Sequence, residues 1–380
     1  MRKLKVVHLT SVHSPADVRI FHRQCRSLAD AGYETVLVVP TTEDYVSHGV
    51  QIRAVPVPAD RRERFLRTTR QVLAAALRED ADLYHFHDPE LIPVGLALKA
   101  RGKRVVYDVH ENVPGDVLTK QYLHPVVRRA ASLAAHAAQG LAAASLDGIV
   151  AAYDSIGRAF PPRKLAVVNN FPRLRDSGEV RPYRPYGERP ARLAYAGVIS
   201  LKRGLAEMVA AVGMLPAHLG ARMTLAGAFS PAGLEAEAAS LPGWERVDSL
   251  GWRTREEVAA QMEEARVGLV LFHPGPNHNE AQPNKLFEYM AAGTPVIASD
   301  FPLWRGIVEG SGCGVMVDPL DPAAIAGAMR MLLENPEEAG AMGRRGLQAV
   351  HERYSWEAEQ HNLLALYDRI LARPSTATRA

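Results

Sequence analysis

Asn279-Glu280-Ala281-Gln282-Pro283-Asn284-Lys285-Leu286-Phe287-Glu288-Tyr289-Met290-Ala291-Ala292-Gly293-Thr294-Pro295-Val296-Ile297-Ala298 reads as a polar loop, a short helix, a stop and a buried strand. Pro283 suits a helix entry. Gly293 and Pro295 suit its end. Val296, Ile297 and Ala298 form an unbroken apolar run. A helix entered from a polar loop aims backbone N–H groups at whatever lies before it, which makes an anion site around Asn284, Lys285 and Leu286. Two carboxylates bracket that site, Glu280 in the loop and Glu288 one turn inside. Carboxylates do not bind phosphate; they suit sugar hydroxyls. The combination predicts a sugar nucleotide, with its diphosphate on the helix and its rings to either side.

Glu280-x7-Glu288 followed by Tyr289-Met290-Ala291-Ala292-Gly293-Thr294-Pro295-Val296 resembles the E-x7-E motif of the family-4 retaining glycosyltransferases. Asp17-Val18-Arg19-Ile20-Phe21-His22 is similar to that family's acceptor-side entry. Tyr107-Asp108-Val109-His110-Glu111-Asn112 is similar to its histidine motif, and Ala194-Tyr195-Ala196-Gly197 through Arg203-Gly204 to its diphosphate loop. The resemblance covers nearly the whole chain in order. It implies the GT-B fold: two facing Rossmann-like, doubly wound α/β domains with an interdomain cleft. It also implies retention of anomeric configuration and a reaction that needs neither metal nor cofactor. The donor would be a UDP- or GDP-sugar, and the acceptor a glycan or a lipid-linked hydroxyl, in polysaccharide, glycolipid or other glycoconjugate biosynthesis.

The pattern along the chain agrees. Apolar runs at Leu4–Leu9, Glu34–Val39, Leu83–Phe86, Arg104–Tyr107 and Gly148–Ala151 alternate with helical stretches such as Ile20–Ala31, Thr68–Leu77 and the Ala-rich Ala130–Ala144. That is the rhythm of a parallel sheet covered on both faces. It restarts at Arg192–Ala196 and continues through Arg222–Leu225, Val247–Leu250, Val267–Leu271, Pro295–Ala298 and Val315–Val317. The expected division is an acceptor domain over 1–173, a Pro/Arg-rich linker over 174–190 and a donor domain over 191–355. The resemblance adds a final helix, 356–372, packed back on the first domain. Residues 373–380 read as a disordered tail.

With 47% apolar and 23% charged residues over 380 positions, the composition is that of a globular chain. Cys25 and Cys313 imply neither a disulfide framework nor a zinc site. No apolar run reaches the length of a membrane span, and the N-terminus reads as a first strand rather than a leader. These features predict a cytoplasmic protein, at most peripheral on the inner membrane face. Residues 1–173 hold 24 Lys/Arg against 17 Asp/Glu, a net +7; the rest hold 21 against 25, a net −4. The basic half, with Arg61, Arg62, Arg64, Arg67, Arg70, Arg128 and Arg129 beside apolar neighbours, suits an anionic membrane. No nucleic-acid partner is expected.

The resemblance assigns Glu288 to the ribose and Glu280 to donor-sugar hydroxyls or to charge developing at the anomeric carbon. Lys202, Arg203 and Gly204 take the diphosphate. The family's usual arginine directly after the first glycine is replaced here by Val198. His110 would bond the donor and, with Glu280 and Arg203, act in catalysis. His13, Asp17 and Arg19 fall on the acceptor side. Gly251 and Trp252 fall near the base, Trp252 as stacking platform or as packing residue. His85 and His87 invite a metal, but Asp88 points to the other strand face and no second cluster completes a site. No Asp-x-Asp pair of the kind that holds a nucleotide-bound divalent ion is expected. The rival readings are a sugar-nucleotide epimerase on the same fold and a non-catalytic two-domain sugar-binding protein.

Overall fold

The structure, a computed structural model, describes residues 2–120, 123–174, 185–275 and 278–372. It divides into two compact units: Met1–Asn170 with Trp356–Ala380, and Phe171–Ser355. The interior of the expected linker and the expected C-terminal tail lie outside the described residues.

The first unit is built on an eight-stranded sheet. Its strands are β1 (Lys5–Leu9), β2 (Glu34–Pro40), β3 (Tyr45–Ser47), β4 (Val50–Val55), β5 (Leu83–Phe86), β6 (Val105–Val109), β7 (Gly148–Ala151) and β8 (Leu165–Val167). They lie in the order β3-β4-β2-β1-β5-β6-β7-β8, with only β3 antiparallel. The central strands are buried on both faces, which explains their lack of alternation. The β3–β4 hairpin was not anticipated. His48 and Gly49 turn it with φ of 48° and 76°, as a two-residue hairpin turn requires. Both strands sit toward a sheet edge, where the apolar pattern is thin.

The segment after β1 starts a helix at Val18, two residues earlier than expected. Asp17 caps it through the N–H groups of Arg19 and Ile20. The turn is wider than an α-helix: the His22 N–H reaches the Asp17 carbonyl at 3.1 Å. The Ala-rich stretch forms the helix Pro125–Ser145.

The helix Trp356–Leu371 belongs to this unit. Leu363, Leu366 and Ile370 pack on Val6, Leu83, Val106 and Val150. The Trp356 indole donates to Ser27 Oγ at 2.7 Å, and Glu359 accepts from the backbone N–H and side-chain amide of Asn169 at 2.8 and 3.0 Å. A helix remote in sequence thus closes one face of the sheet.

The second unit carries six parallel strands: β9 (Arg192–Ala196), β10 (Arg222–Ala226), β11 (Val247–Gly251), β12 (Val267–Val270), β13 (Val296–Ser299) and β14 (Gly314–Val317). The order is β11-β10-β9-β12-β13-β14. Strand order reverses between β9 and β12. In such a sheet the crevice for ligands lies beyond the carboxyl ends of those two strands. In the first sheet the corresponding point lies beyond β1 and β5.

Candidate functional site

In the second unit, β9 runs into Gly197, whose N–H donates to the Ala226 carbonyl at 2.8 Å. Gly197 has φ +117°, and a Cβ there would stand 3.4 Å from Lys285 Nζ. The chain then makes a tight turn, Leu201–Arg203, ending at Gly204. Gly204 has φ +74°, and a Cβ on it would lie 2.5 Å from the Leu271 carbonyl oxygen. Only glycine fits that left-handed, crowded position.

The loop after β12 is tied to the same turn. The His273 N–H donates to the Lys202 carbonyl at 2.9 Å, and His273 Nε2 lies 3.1 Å from Glu207. Further along, the Trp304 indole donates to the Ala281 carbonyl at 2.7 Å, anchoring the chain beside Glu280. The helix Asn284–Ala291 follows. Tyr289 seats it by donating to the Ala194 carbonyl at 2.7 Å.

Lys202, Arg203, Gly204, Asn284, Lys285 and Leu286 therefore gather around the β9/β12 switch point. Arg203 lies along the Phe272 ring, 5.3 Å from its centroid, and donates to the Val198 carbonyl at 3.4 Å. Glu280 is exposed and Glu288 half-buried. Neither has a hydrogen-bond or ion-pair partner among the described residues. Lys285 is not the surface partner of Glu288 that a spacing of three residues on a helix would suggest. It is buried, with its Nζ over the Tyr195 ring. Trp252 is 72% exposed, which removes its reading as a packing residue. It follows Gly251 at the end of the edge strand, where the Gly251 carbonyl accepts from Gly227.

The first unit assembles a different chemistry at its own switch point. His13 lies between Asp17 (3.2 Å) and Asp88 (3.3 Å). Burial opposes its charge, but the two carboxylates outweigh burial and raise its pKa to about 10. Asp88 is drawn down to about 2, against its own burial, by His13, Ser11 and Thr10. Behind His13 stands His110, with ring centroids 5.4 Å apart.

Arg19 does not join His13 and His110. It is buried, gripping Asp108 through Nε (2.9 Å) and Nη2 (2.8 Å) and donating to the Val168 carbonyl. The expected acceptor-side contact is corrected to a role in holding Asp108. Asp17 is occupied with capping and with His13. Gln24 adds a 2.7 Å bond to Asp108. Burial works against charge on Asp108, yet Arg19 and His110 hold its carboxyl well below the usual range.

The expectation that no further ligands join His85 and His87 also needs correction. The strand order sets β1, β5 and β6 side by side. That gathers His8, His85 and His87 in one group and His87, Asp108 and His110 in another, each with potential ligand atoms within 4.8 Å. Both groups are already hydrogen-bonded. His8 Nδ1 meets His87 Nε2 at 2.8 Å, His85 meets the Tyr367 hydroxyl at 2.7 Å, and His87 Nδ1 lies 3.2 Å from Asp108 and from His110. Burial pushes all three strand imidazoles below their ordinary range, His87 to about 3. Neutral imidazoles linked in this way form a polar core that fixes His110. The sequence signal was His85-Phe86-His87-Asp88 at a strand end, but its partners become visible only with the strand order.

Comparison with known proteins fits this anatomy. Residues 18–171 match the family model described as Glycosyltransferase Family 4, and residues 179–349 match that of the glycosyl transferases group 1. The phosphatidyl-myo-inositol mannosyltransferase of Mycolicibacterium smegmatis is 24% identical over 361 residues, covering 90% of this chain and 87% of that protein. The MMP alpha-(1->4)-mannosyltransferase of Mycolicibacterium hassiacum is 29% identical over 119 residues, 31% of this chain. The first curated relatives are matched over only about a quarter of their length, 28% and 22% for two of them. Among solved structures, sucrose-phosphate synthase from Thermosynechococcus elongatus superposes with a TM-score of 0.76 at 18% identity, covering 97% of this chain and all of that one. HepE from Anabaena, in complex with UDP and glucose, gives 0.73 at 14% identity, covering 96% and 100%. With one model on each unit and GT-B glycosyltransferases as structural neighbours, the chain belongs to the family-4 glycosyltransferases.

Proposed function

We propose that the protein transfers a sugar from a nucleoside diphosphate to an acceptor hydroxyl, in the synthesis of a polysaccharide, glycolipid or other glycoconjugate. The observation that carries this reading is the carboxyl edge of the second sheet. There the helix start at Asn284, the cations of Arg203 and Lys202, and glycines without Cβ converge. This combination suits a diphosphate. Glu288 and Glu280, unengaged by other described residues, suit the ribose and the donor sugar. Structural neighbours whose solved structures hold UDP, UDP-glucose or UDP-2-fluoro glucose support a nucleotide-sugar donor.

The reaction retains configuration and uses no metal. Departure of the diphosphate on the front face asks for charge stabilisation and positioning, which Arg203 and the helix start supply. His110, braced by Asp108 and His87, is the first unit's candidate catalytic group. The acceptor enters near His13. Assay of transfer from UDP- and GDP-sugars, with nuclear magnetic resonance of the product's anomeric centre, tests the reading; an inverted product refutes retention.

No helix among the described residues is long and apolar enough to cross a membrane. Peripheral binding at the cytoplasmic face is part of the proposal. Phe65 and Leu66 are exposed beside Arg61 and Arg62, and Val126, Val127 and Leu133 are exposed near Arg128 and Arg129. Basic residues set among apolar ones suit an anionic lipid surface.

A further inference from the structure

Lys285 occupies the second position of the helix Asn284–Ala291, yet it is only 7% exposed. Its Nζ is a buried polar atom with no hydrogen-bond partner. An ammonium carries three donors, and burying it unpaired is costly. The atom is not lodged in an apolar core. It lies 3.5 Å from the centroid of the Tyr195 ring and 5.4 Å from that of Phe272, and faces the bare Cα side of Gly197. Arg203 Nη1 stands 4.0 Å from the position a Gly197 Cβ would take, so two cationic side chains converge on one small space.

The groups that bear on its charge come from each surrounding element. Tyr195 on β9 and Arg203 on the following turn face it, and Glu288 lies on its own helix. His273 and His278 sit in the loop after β12. His273 is turned to Glu207, and His278 bonds the His273 carbonyl. Burial first, and Arg203 second, lower the proton affinity of Lys285 well below its ordinary range, with Glu288 opposing. The Tyr195 ring face favours the charged form, but it supplies no hydrogen-bond acceptor.

We propose that Lys285 binds the diphosphate of the nucleotide, and that it is a neutral amine in the empty site which takes one proton from solvent as the diphosphate arrives against Gly197. This rests on the donor reading above and adds to it a proton linked to binding. The incoming oxyanion provides the acceptors that the buried nitrogen lacks, and its charge offsets that of Arg203. The cation is thus created only when its counter-charge is present. The empty site then avoids holding two close positive charges away from water.

The test is calorimetric titration of the intact protein with UDP and with GDP at pH 8.5, in two buffers of different ionisation enthalpy. A nucleotide's terminal phosphate, with a pKa of about 6, is already ionised at that pH, so uptake must come from the protein. The wild type is expected to take up about one proton per nucleotide bound, and to lose affinity by up to about tenfold per pH unit as the pH rises from about 7.5 to 9.5. Lys285→Arg carries a fixed charge, and its binding should show neither effect. Lys285→Met, close in size to the lysine stem, should bind more weakly and without uptake, which keeps the test open if arginine does not fit. Binding by wild type without proton uptake, or full uptake retained in Lys285→Met, overturns the inference while leaving the donor reading intact. Failure of the wild type to bind either diphosphate overturns the donor reading itself, and this inference with it.

Discussion

Arg19 and Asp108 form a two-pronged ion pair, 2.8 and 2.9 Å, with side chains 5% and 0% exposed. Asp108 in turn touches His87 and His110, so a residue from the first helix sets the base on which a candidate catalytic histidine stands.

Removing one partner of a buried pair strands the other's charge. Arg19→Ala should therefore destabilise the first unit by about 3–5 kcal/mol. Urea unfolding measures it. A loss below about 1 kcal/mol would mean that water or Gln24 satisfies Asp108 unaided.

His8, His85 and His87 are neutral in the fold because burial depresses their pKa values, His87 to about 3. In the unfolded chain each titrates near 6.5. Unfolding below pH 6.5 therefore takes up protons, and stability falls as the pH falls. Each imidazole should contribute about 1 kcal/mol of loss between pH 6.5 and 5.5, with the loss for His87 continuing toward pH 3. His13 works in the opposite sense. Its raised pKa gives stability that is fully present below pH 6.5 and lost as the pH rises through about 10, so it does not mask the acid loss. Denaturation midpoints that stay level from pH 7 to 5 would show that the cluster titrates normally.

Glu288 has no partner among the described residues and lies one turn inside the helix Asn284–Ala291. If it accepts ribose hydroxyls, Glu288→Ala should weaken binding of UDP or GDP by roughly 1.5–3 kcal/mol. Calorimetric affinity equal to that of the wild type would sink the ribose assignment.

Binding to anionic vesicles should be measurable at low salt and lost at high salt, as expected for charges near a lipid surface at about 1 kcal/mol each. Arg64 is paired with Glu90 at 2.8 Å, so the informative variant changes Arg61 and Arg62 to Ser. Co-sedimentation checks it. Absence of vesicle binding at low salt would favour a soluble acceptor or a growing polysaccharide.

Much of this was legible because parallel strands carry an uninterrupted signal. Leu83–Phe86, Gly148–Ala151 and Arg192–Ala196 have the bounds that their apolar runs suggest, and the final helix, Trp356–Leu371, ends one residue short of its expected bound. The glycines and basic residues of the second unit lie close in sequence within two loops, so their convergence could be read. The first unit hid more. Arg19 meets Asp108 across 89 positions, and His8 meets His87 across 79. Nothing local distinguishes a buried, paired arginine from a solvent-facing one. The burial of Lys285 was likewise hidden, since helical spacing alone puts it beside Glu288. Its path under the Gly197 turn depends on Tyr289 seating the helix against β9.

The most direct measurement is release of nucleoside diphosphate from UDP-glucose and GDP-mannose by the intact protein, with and without a glycan or lipid acceptor extract, each in excess EDTA. Sugar transfer supported by Arg203 and the helix start predicts release that rises with acceptor and survives chelation. Arg203→Ala and Glu280→Ala should lower turnover more than they lower nucleotide affinity. Release that needs added manganese or magnesium, or none from either donor with acceptor present, would contradict it.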